Sequence, residues 1–547
     1  MNRPLPGAHL HGLEADPDRG AEIDKKSPGE RARAESRHFT RRRRIGLLVG
    51  AALAVLVYVA LPDDLSHPGK LTAATAVLMG AWWMTEAIPI PATALMPLII
   101  FPAVGRQVTV SEVGASYGAD IIFLFMGGFL IALAMQRWNL HRRMALLTVR
   151  LMGTKSTNVI AGFMLATAFL SMWVSNTATA VMMLPIGVSV LLLVAEQSSE
   201  GTVTTADGPT ADGPTADGPT ADGPTGRPTK AEVTKTNFGT ALMLGIAYSA
   251  SLGSLATIIG TPPNTLLVGY LRENFDINIG FGQWMMVGLP LAIVFNVIAW
   301  FVLSKVLFKP EIERIPGGRQ LMDNELAKLG PVSRGELRVL VIFVLAALAW
   351  VSLPLIMDKP PLSDAGIAVI AGVLLFLLPA GANRGVRLLD WDTATTLPWG
   401  VLLLFGGGLA LSAQFTKSGL STWIGARVSS WTGVSTILLI VLFTIGILLL
   451  TEMTSNTATA ATFLPVAGGV AIGVGAHPML LAVPVALAAT CAFMLPVATP
   501  PNAIAYGSGY VTSAQMLKGG VWLNLVGIVL IPIVTLTLLA WVFQLTA

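Results

Sequence analysis

Long apolar stretches separated by short charged ones run through almost the whole chain. Most approach or exceed the roughly 20 residues that carry a helix across a hydrocarbon core. Crossings are predicted at 45–61, 70–88, 91–105, 119–137, 237–275, 283–308, 337–356, 364–382, 397–416, 479–511 and 521–546. Two further stretches, 157–194 and 433–474, are too long for one helix, and each carries a polar cluster near its middle. These read as re-entrant hairpins that enter and leave on one side. Strand-type alternation is absent, which argues against a β-barrel. The pattern predicts an all-α polytopic membrane protein with about 11 crossings and two hairpins.

The polar clusters are copies of each other. Ser175-Asn176-Thr177-Ala178-Thr179-Ala180 returns unchanged as Ser455-Asn456-Thr457-Ala458-Thr459-Ala460. Thr261-Pro262-Pro263-Asn264 follows the first copy and Thr499-Pro500-Pro501-Asn502 the second. Small residues alone could let helices pack closely, but packing explains neither the identity of the copies nor the paired prolines. Phe125-Met126-Gly127-Gly128-Phe129 and Phe405-Gly406-Gly407-Gly408-Leu409 precede the hairpins by similar distances. Each half is therefore a helix, a hairpin and a broken helix. Opposite entry sides for the hairpins make this an inverted repeat, and polar-broken segments at matching places point to a transporter's binding site.

Composition agrees: 53% of residues are hydrophobic and 12% charged, about half the charge of soluble domains. The net charge of +4 does not indicate nucleic acid, because the basic residues lie between apolar segments and report topology. Arg41-Arg42-Arg43-Arg44, ahead of the first crossing, place the N-terminus in the cytoplasm and the C-terminus outside. The same arginines suit anionic lipid. Residues 1–44 read as a disordered basic cytoplasmic tail without a secretory signal core. Four copies of Ala-Asp-Gly-Pro-Thr over Ala206 to Thr225 make 195–236 a low-complexity cytoplasmic loop with no transport role. The segment Trp82 to Pro91 reads as a proline-capped turn with an interfacial tryptophan. Cys491 is the single cysteine, and the six histidines lie in the tail or at segment ends. No P-loop, hydrolase elbow or catalytic carboxylate pair occurs, so the chain is not expected to be an enzyme or an ATP-driven pump.

The tips favour a hard cation. Hydroxyls and amides supply neutral oxygens, and the Pro-Pro breaks free carbonyls near Gly260 and Ala498. The half-helix N-termini present N–H groups and positive dipole ends to an anion's carboxylates. Neither tip nor break holds Lys, Arg or His, so bound sodium would balance a dianion. Glu452 is the one acid nearby. It reads either as a brace for the hairpin or as a proton or cation site.

These residues resemble the divalent-anion:sodium symporter family, the dicarboxylate and citrate carriers, over about 45–546. The resemblance rests on Trp82 to Pro91, both Ser-Asn-Thr motifs and both Thr-Pro-Pro-Asn motifs. It implies a homodimer in a cell membrane, each protomer pairing a scaffold with a transport domain that moves as an elevator. Scaffold helices would occupy 45–137 and 283–416. A basic loop and the first hairpin would occupy 138–194, and 237–275 would be the transport domain's first broken helix. The second hairpin and broken helix fall in 433–511, and the last crossing in 521–546. The resemblance implies one sodium site at Ser171, Ser175, Asn176 and the Gly260 carbonyl. It implies another at Thr451, the Thr454 carbonyl, Asn456 and the Ala498 carbonyl. Substrate carboxylates would meet Asn176, Thr177, Asn456 and Thr457, with Thr261 and Thr499 close by. The implied activity is sodium-coupled import of C4-dicarboxylates such as succinate, malate or fumarate. A sodium-independent exchanger, a citrate or sulfate carrier of the same fold, and a channel built on the hairpins stay open as alternatives.

Overall fold

A computed structural model describes residues 37–106, 108–200, 236–315, 317–357, 360–429 and 435–545. The tail before Arg37 and the Ala-Asp-Gly-Pro-Thr copies lie outside the described residues. Among those described, the regular structure is helical, with two isolated bridges and no strand. Among the described residues, seven helices are long and apolar enough to cross a membrane: Thr40–Ala60, Val110–Arg137, Asn176–Val194, Phe281–Leu307, Arg334–Pro354, Trp399–Lys417 and Ser513–Val542. Five shorter apolar helices accompany them, among them the first arm of each hairpin, Ser156–Ser171 and Thr436–Thr451. Those arms are short because each stops at its polar tip. The described residues have the fold of an all-α protein with several helices able to cross a membrane.

Four boundaries differ from the expected ones. The first helix, Arg37–Ala60, takes in Arg41 to Arg44, and Arg42 donates to the Met84 carbonyl at 2.9 Å. That cluster is therefore helix and not disordered tail. The stretch 138–155, expected as a basic loop, contains the helix Leu140–Leu151, which buries Leu140, Ala145, Leu146 and Val149. Its arginines face outward into ion pairs: Arg142 with Glu325 (2.9 Å), Arg143 with Glu336 (2.5 Å) and Arg150 with Asp323 (2.7 Å). The expected crossing at 91–105 is two short α-helices and a π-turn, because Pro91, Pro97 and Pro102 each remove a backbone donor. At about 1.5 Å per residue, its 16 residues from Ile90 to Gly105 span roughly 24 Å. Fourth, the helix Leu420–Ser429 lies between the predicted 397–416 and 433–474 segments.

In the linker after the second helix, His67–Thr85, Glu86 takes a left-handed conformation and closes that helix. The turn is as expected: Trp83 is buried and donates to the Ile90 carbonyl at 3.2 Å, while Trp82 is half-buried and donates to the Leu47 carbonyl at 3.3 Å.

Equivalent glycines fix how the halves interlock. The Phe125 and Phe405 rings meet edge to face at 4.8 Å. A Cβ on Gly127 would lie 2.6 Å from the Ala368 backbone, and one on Gly407 would lie 2.2 Å from the Ala94 carbonyl oxygen. Each glycine thus lets its helix press on a short helix of the other half. Gly407→Ala is expected to cost about 1–3 kcal/mol through overpacking. Its thermal midpoint in detergent should fall, and an unchanged midpoint would refute the close approach.

The broken helices form the interior. The first runs Asn237–Ser254 and resumes at Pro262–Phe275; the second runs Met479–Thr490 and resumes at Pro500–Gly507. The first break therefore opens at Leu255, earlier than the expected Gly260, and Asn264 sits inside the resumed helix. Every residue from Phe238 to Ser254 and from Met479 to Thr490 is buried. A helix buried on all sides needs no polar face, which is why these segments lack a 3.6-residue alternation. Asn237–Ser254 packs beside Pro500–Gly507, and Pro262–Phe275 beside Met479–Thr490. The two broken helices therefore run antiparallel, and Thr261 beside Thr490 brings their breaks together, as an inverted repeat requires.

Candidate functional site

Each hairpin turns within a few residues and restarts as a helix at its asparagine. The second arms are Asn176–Glu200 and Asn456–Gly473. The preceding serines cap them: the Ala178 N–H donates to Ser175 Oγ (3.3 Å) and the Ala458 N–H to Ser455 Oγ (3.5 Å). Ser175 thus serves local structure through one lone pair.

At the end of the first arm, Ser171 Oγ lies 2.9 Å from Asn176 Oδ1 and 2.5 Å from the Ala250 carbonyl oxygen. At the end of the other first arm, Thr451 Oγ1 lies 2.8 Å from Asn456 Oδ1 and 2.9 Å from the Ala489 carbonyl. A hydroxyl has one proton to donate, so it cannot satisfy two acceptors together. Each tip therefore brings a hydroxyl, an asparagine amide and a main-chain carbonyl within bonding distance of one another, neutral oxygens of the kind a small hard cation takes. Ser171 and Thr451 are fully buried, Asn176, Asn456 and Thr457 are half-buried, and Thr177 is exposed. The clusters are thus closed on the protein side and open on the side of the threonines.

The remaining predicted residues divide. Gly260 is buried, and a Cβ there would come within 2.3 Å of the Ser254 carbonyl oxygen. Ala498 is buried and its N–H donates to the Leu495 carbonyl at 3.2 Å. Thr261 Oγ1 lies 3.5 Å from Thr490 Oγ1, which joins the two breaks. Thr499 Oγ1 accepts from the Asn502 N–H at 3.3 Å and caps the resumed helix. The Thr454 hydroxyl bonds to the Leu450 carbonyl and Thr459.

Several residues here carry roles that motif reading did not give them. Ser254 Oγ accepts from Asn176 Nδ2 at 3.3 Å and ties the first tip to the first break. Asn264 Nδ2 lies within bonding distance of the Ser254, Leu255 and Thr257 carbonyls (3.4, 3.3 and 2.9 Å). Asn502 Nδ2 donates to the Ala492 and Leu495 carbonyls (3.2 and 3.1 Å). The fourth residue of each Thr-Pro-Pro-Asn motif thus holds its own break open. An asparagine in the first turn after two prolines was the available signal.

Glu452 braces the second half. Its carboxylate accepts from the backbone N–H groups of Phe493 (2.7 Å), Met494 (3.0 Å) and Leu495 (3.1 Å), and from Asn524 Nδ2 (2.8 Å). The residue after Ser171 at the matching place is Met172. There its carbonyl accepts from Thr257 Oγ1 at 2.5 Å and makes the equivalent tie.

Fold and site together define a class: an internally duplicated helical membrane transporter whose hairpin tips meet paired helix breaks. Residues 43–545 match the family described as "Sodium:sulfate symporter transmembrane region", and the chain belongs to that family. The resemblance seen in the motifs is thereby borne out. Similar proteins include a "Sodium-dependent dicarboxylate transporter SdcS" of Staphylococcus saprophyticus, 41% identical over 90% of both chains. The SdcS of Staphylococcus aureus strain USA300 is 40% identical over the same shares. These relatives are transporters and not enzymes. In shape, the chain resembles the Alcanivorax borkumensis YdaH transporter, with TM-score 0.52 and 14% identity over 88% of this chain and 99% of that one. That likeness concerns the fold alone.

Proposed function

We propose that the protein is a sodium-coupled carrier that imports C4-dicarboxylates such as succinate, malate or fumarate. The observation that carries this reading is the pair of matching clusters, Ser171–Asn176–Ala250 and Thr451–Asn456–Ala489, each a hydroxyl, an amide and a main-chain carbonyl within bonding distance. Each supplies what sodium needs and what a carboxylate alone would repel. With ions held there, Asn176, Thr177, Asn456 and Thr457 meet the substrate's carboxylates, and Thr261 and Thr499 lie beside them at the breaks. Ser175, Gly260, Thr454 and Ala498 complete the two ion sites. The names of the SdcS relatives support the same cargo and the same ion. Two protomers, an elevator stroke, a cytoplasmic N-terminus and an outer C-terminus belong to this reading.

Replacing sodium by choline in proteoliposomes tests it. Saturable succinate uptake is expected in sodium and background uptake in choline. Linkage requires sodium and succinate to raise each other's affinity by one factor, typically about 5- to 150-fold. Equal uptake in both media would discard coupling and leave a sodium-independent exchanger. Uptake that never saturates would indicate a channel.

A further inference from the structure

The arginines around the start of the helix Arg334–Ile356 fall into two groups. Arg137, Arg142, Arg143 and Arg150 each meet a carboxylate, on Asp390, Glu325, Glu336 and Asp323. Arg334, Arg338, Arg384 and Arg387 make no ion pair among the described residues. Two of them donate only to backbone: Arg338 to the Pro379 carbonyl and Arg387 to the Leu377 carbonyl. They gather at a tight turn that follows the helix Asp364–Leu377. In it the Ala380 N–H donates to Val386 (2.8 Å) and the Leu388 N–H to Leu378 (3.1 Å). A Cβ on Gly381 would come within 3.2 Å of the Arg334 side chain and 3.5 Å of Arg338 Nη1. Arg334 and Arg338 therefore lie over the turn that carries Arg384 and Arg387. Arg334, Arg384 and Arg387 are exposed.

Two exposed apolar stripes lead away from this cluster. Leu337, Val341, Leu345 and Leu348 follow Arg334 and Arg338 along one helix face, at spacings of three and four. Val373, Leu374 and Leu377 run down the neighbouring helix and end at the carbonyl that Arg387 holds. The two helices pack side by side. Unneutralised guanidinium groups at the end of paired membrane-facing apolar stripes complement an amphiphile with an anionic head. We propose that an anionic phospholipid binds here. Its phosphate sits among Arg334, Arg338, Arg384 and Arg387, and its acyl chains lie along the two stripes. Planar guanidinium forks match phosphate oxygens in geometry as well as charge.

Thermal melting of the purified full chain in detergent tests the site. Dioleoylphosphatidylglycerol should raise the midpoint, whereas dioleoylphosphatidylcholine and soluble sn-glycerol 3-phosphate should not. The variant carrying Arg334→Gln, Arg338→Gln, Arg384→Gln and Arg387→Gln should lose at least half of that rise. If that variant does not fold, Arg384→Gln with Arg387→Gln, in the exposed turn, should reduce the phosphatidylglycerol counted by native mass spectrometry. A full response in the variants, or an equal response to phosphatidylcholine, would overturn the proposal. A response to sn-glycerol 3-phosphate alone would replace the lipid by a soluble anion. A dimer lost in the variants while the lipid response persists would assign the face to a second copy of the chain.

Discussion

Asn456→Ala is expected to abolish succinate uptake in proteoliposomes, and Asn176→Ala to do the same, while both proteins still insert and fold. The Asn456 amide lies 2.8 Å from the Thr451 hydroxyl, and the Asn176 amide lies 2.9 Å from the Ser171 hydroxyl. Removing either oxygen takes a ligand from an ion cluster and a donor amide from the substrate's side. Each unmet polar partner costs roughly 1–3 kcal/mol, so two losses together reduce transport by several tens of fold or more. Both asparagines are half-buried and start their helices, where alanine keeps the helical backbone. Near-normal uptake by either variant would remove that tip from the site. Size-exclusion profiles matching the parent protein would show that the loss is not misfolding.

Glu452→Ala should produce the largest loss of stability. Four donors, the buried N–H of Phe493 and amide of Asn524 and the half-buried N–H groups of Met494 and Leu495, depend on this one carboxylate. At roughly 1–3 kcal/mol for each orphaned group, the total reaches the range of a whole domain's stability. Little folded protein should be recovered. Glu452→Gln keeps a carbonyl acceptor and should fold with a lowered thermal midpoint. Its uptake should follow the same pH profile as the parent. A profile that shifts in Glu452→Gln would mean that a proton on this residue takes part in transport, and the bracing role would fall.

The sequence disclosed the duplicated core more fully than its surroundings. Ser-Asn-Thr and Thr-Pro-Pro-Asn mark turns whose cause is local: a capping serine at each tip, and prolines that cannot continue a helix. Local causes are legible in a string of residues. Ser254 was not legible, because it lies 78 residues from the Asn176 amide that it accepts from. The helix Leu140–Leu151 was hidden by its own charges. Arg142, Arg143 and Arg150 suggested a loop, yet each is matched by an acid more than 170 residues away in sequence: Glu325, Glu336 and Asp323. The crossing at 91–105 misled in the opposite direction, since its hydrophobicity concealed three prolines' effect on helix length. Glu452 could be read as brace or proton site from sequence, and only its four donors decide between them.

Four helices begin at this one place: Asn176–Glu200, Asn456–Gly473, Pro262–Phe275 and Pro500–Gly507. Each start carries about half an elementary charge, so their nominal sum is about +2, the counterpart of a dianion. This attraction resides in the direction of the backbone rather than in any side chain. It has no ionisable proton, so acidification of the medium cannot switch it off. No single codon change deletes it either, because altering one residue leaves peptide dipoles aligned. Natural variation at the tips can therefore retune which anion is preferred without erasing the preference for anions.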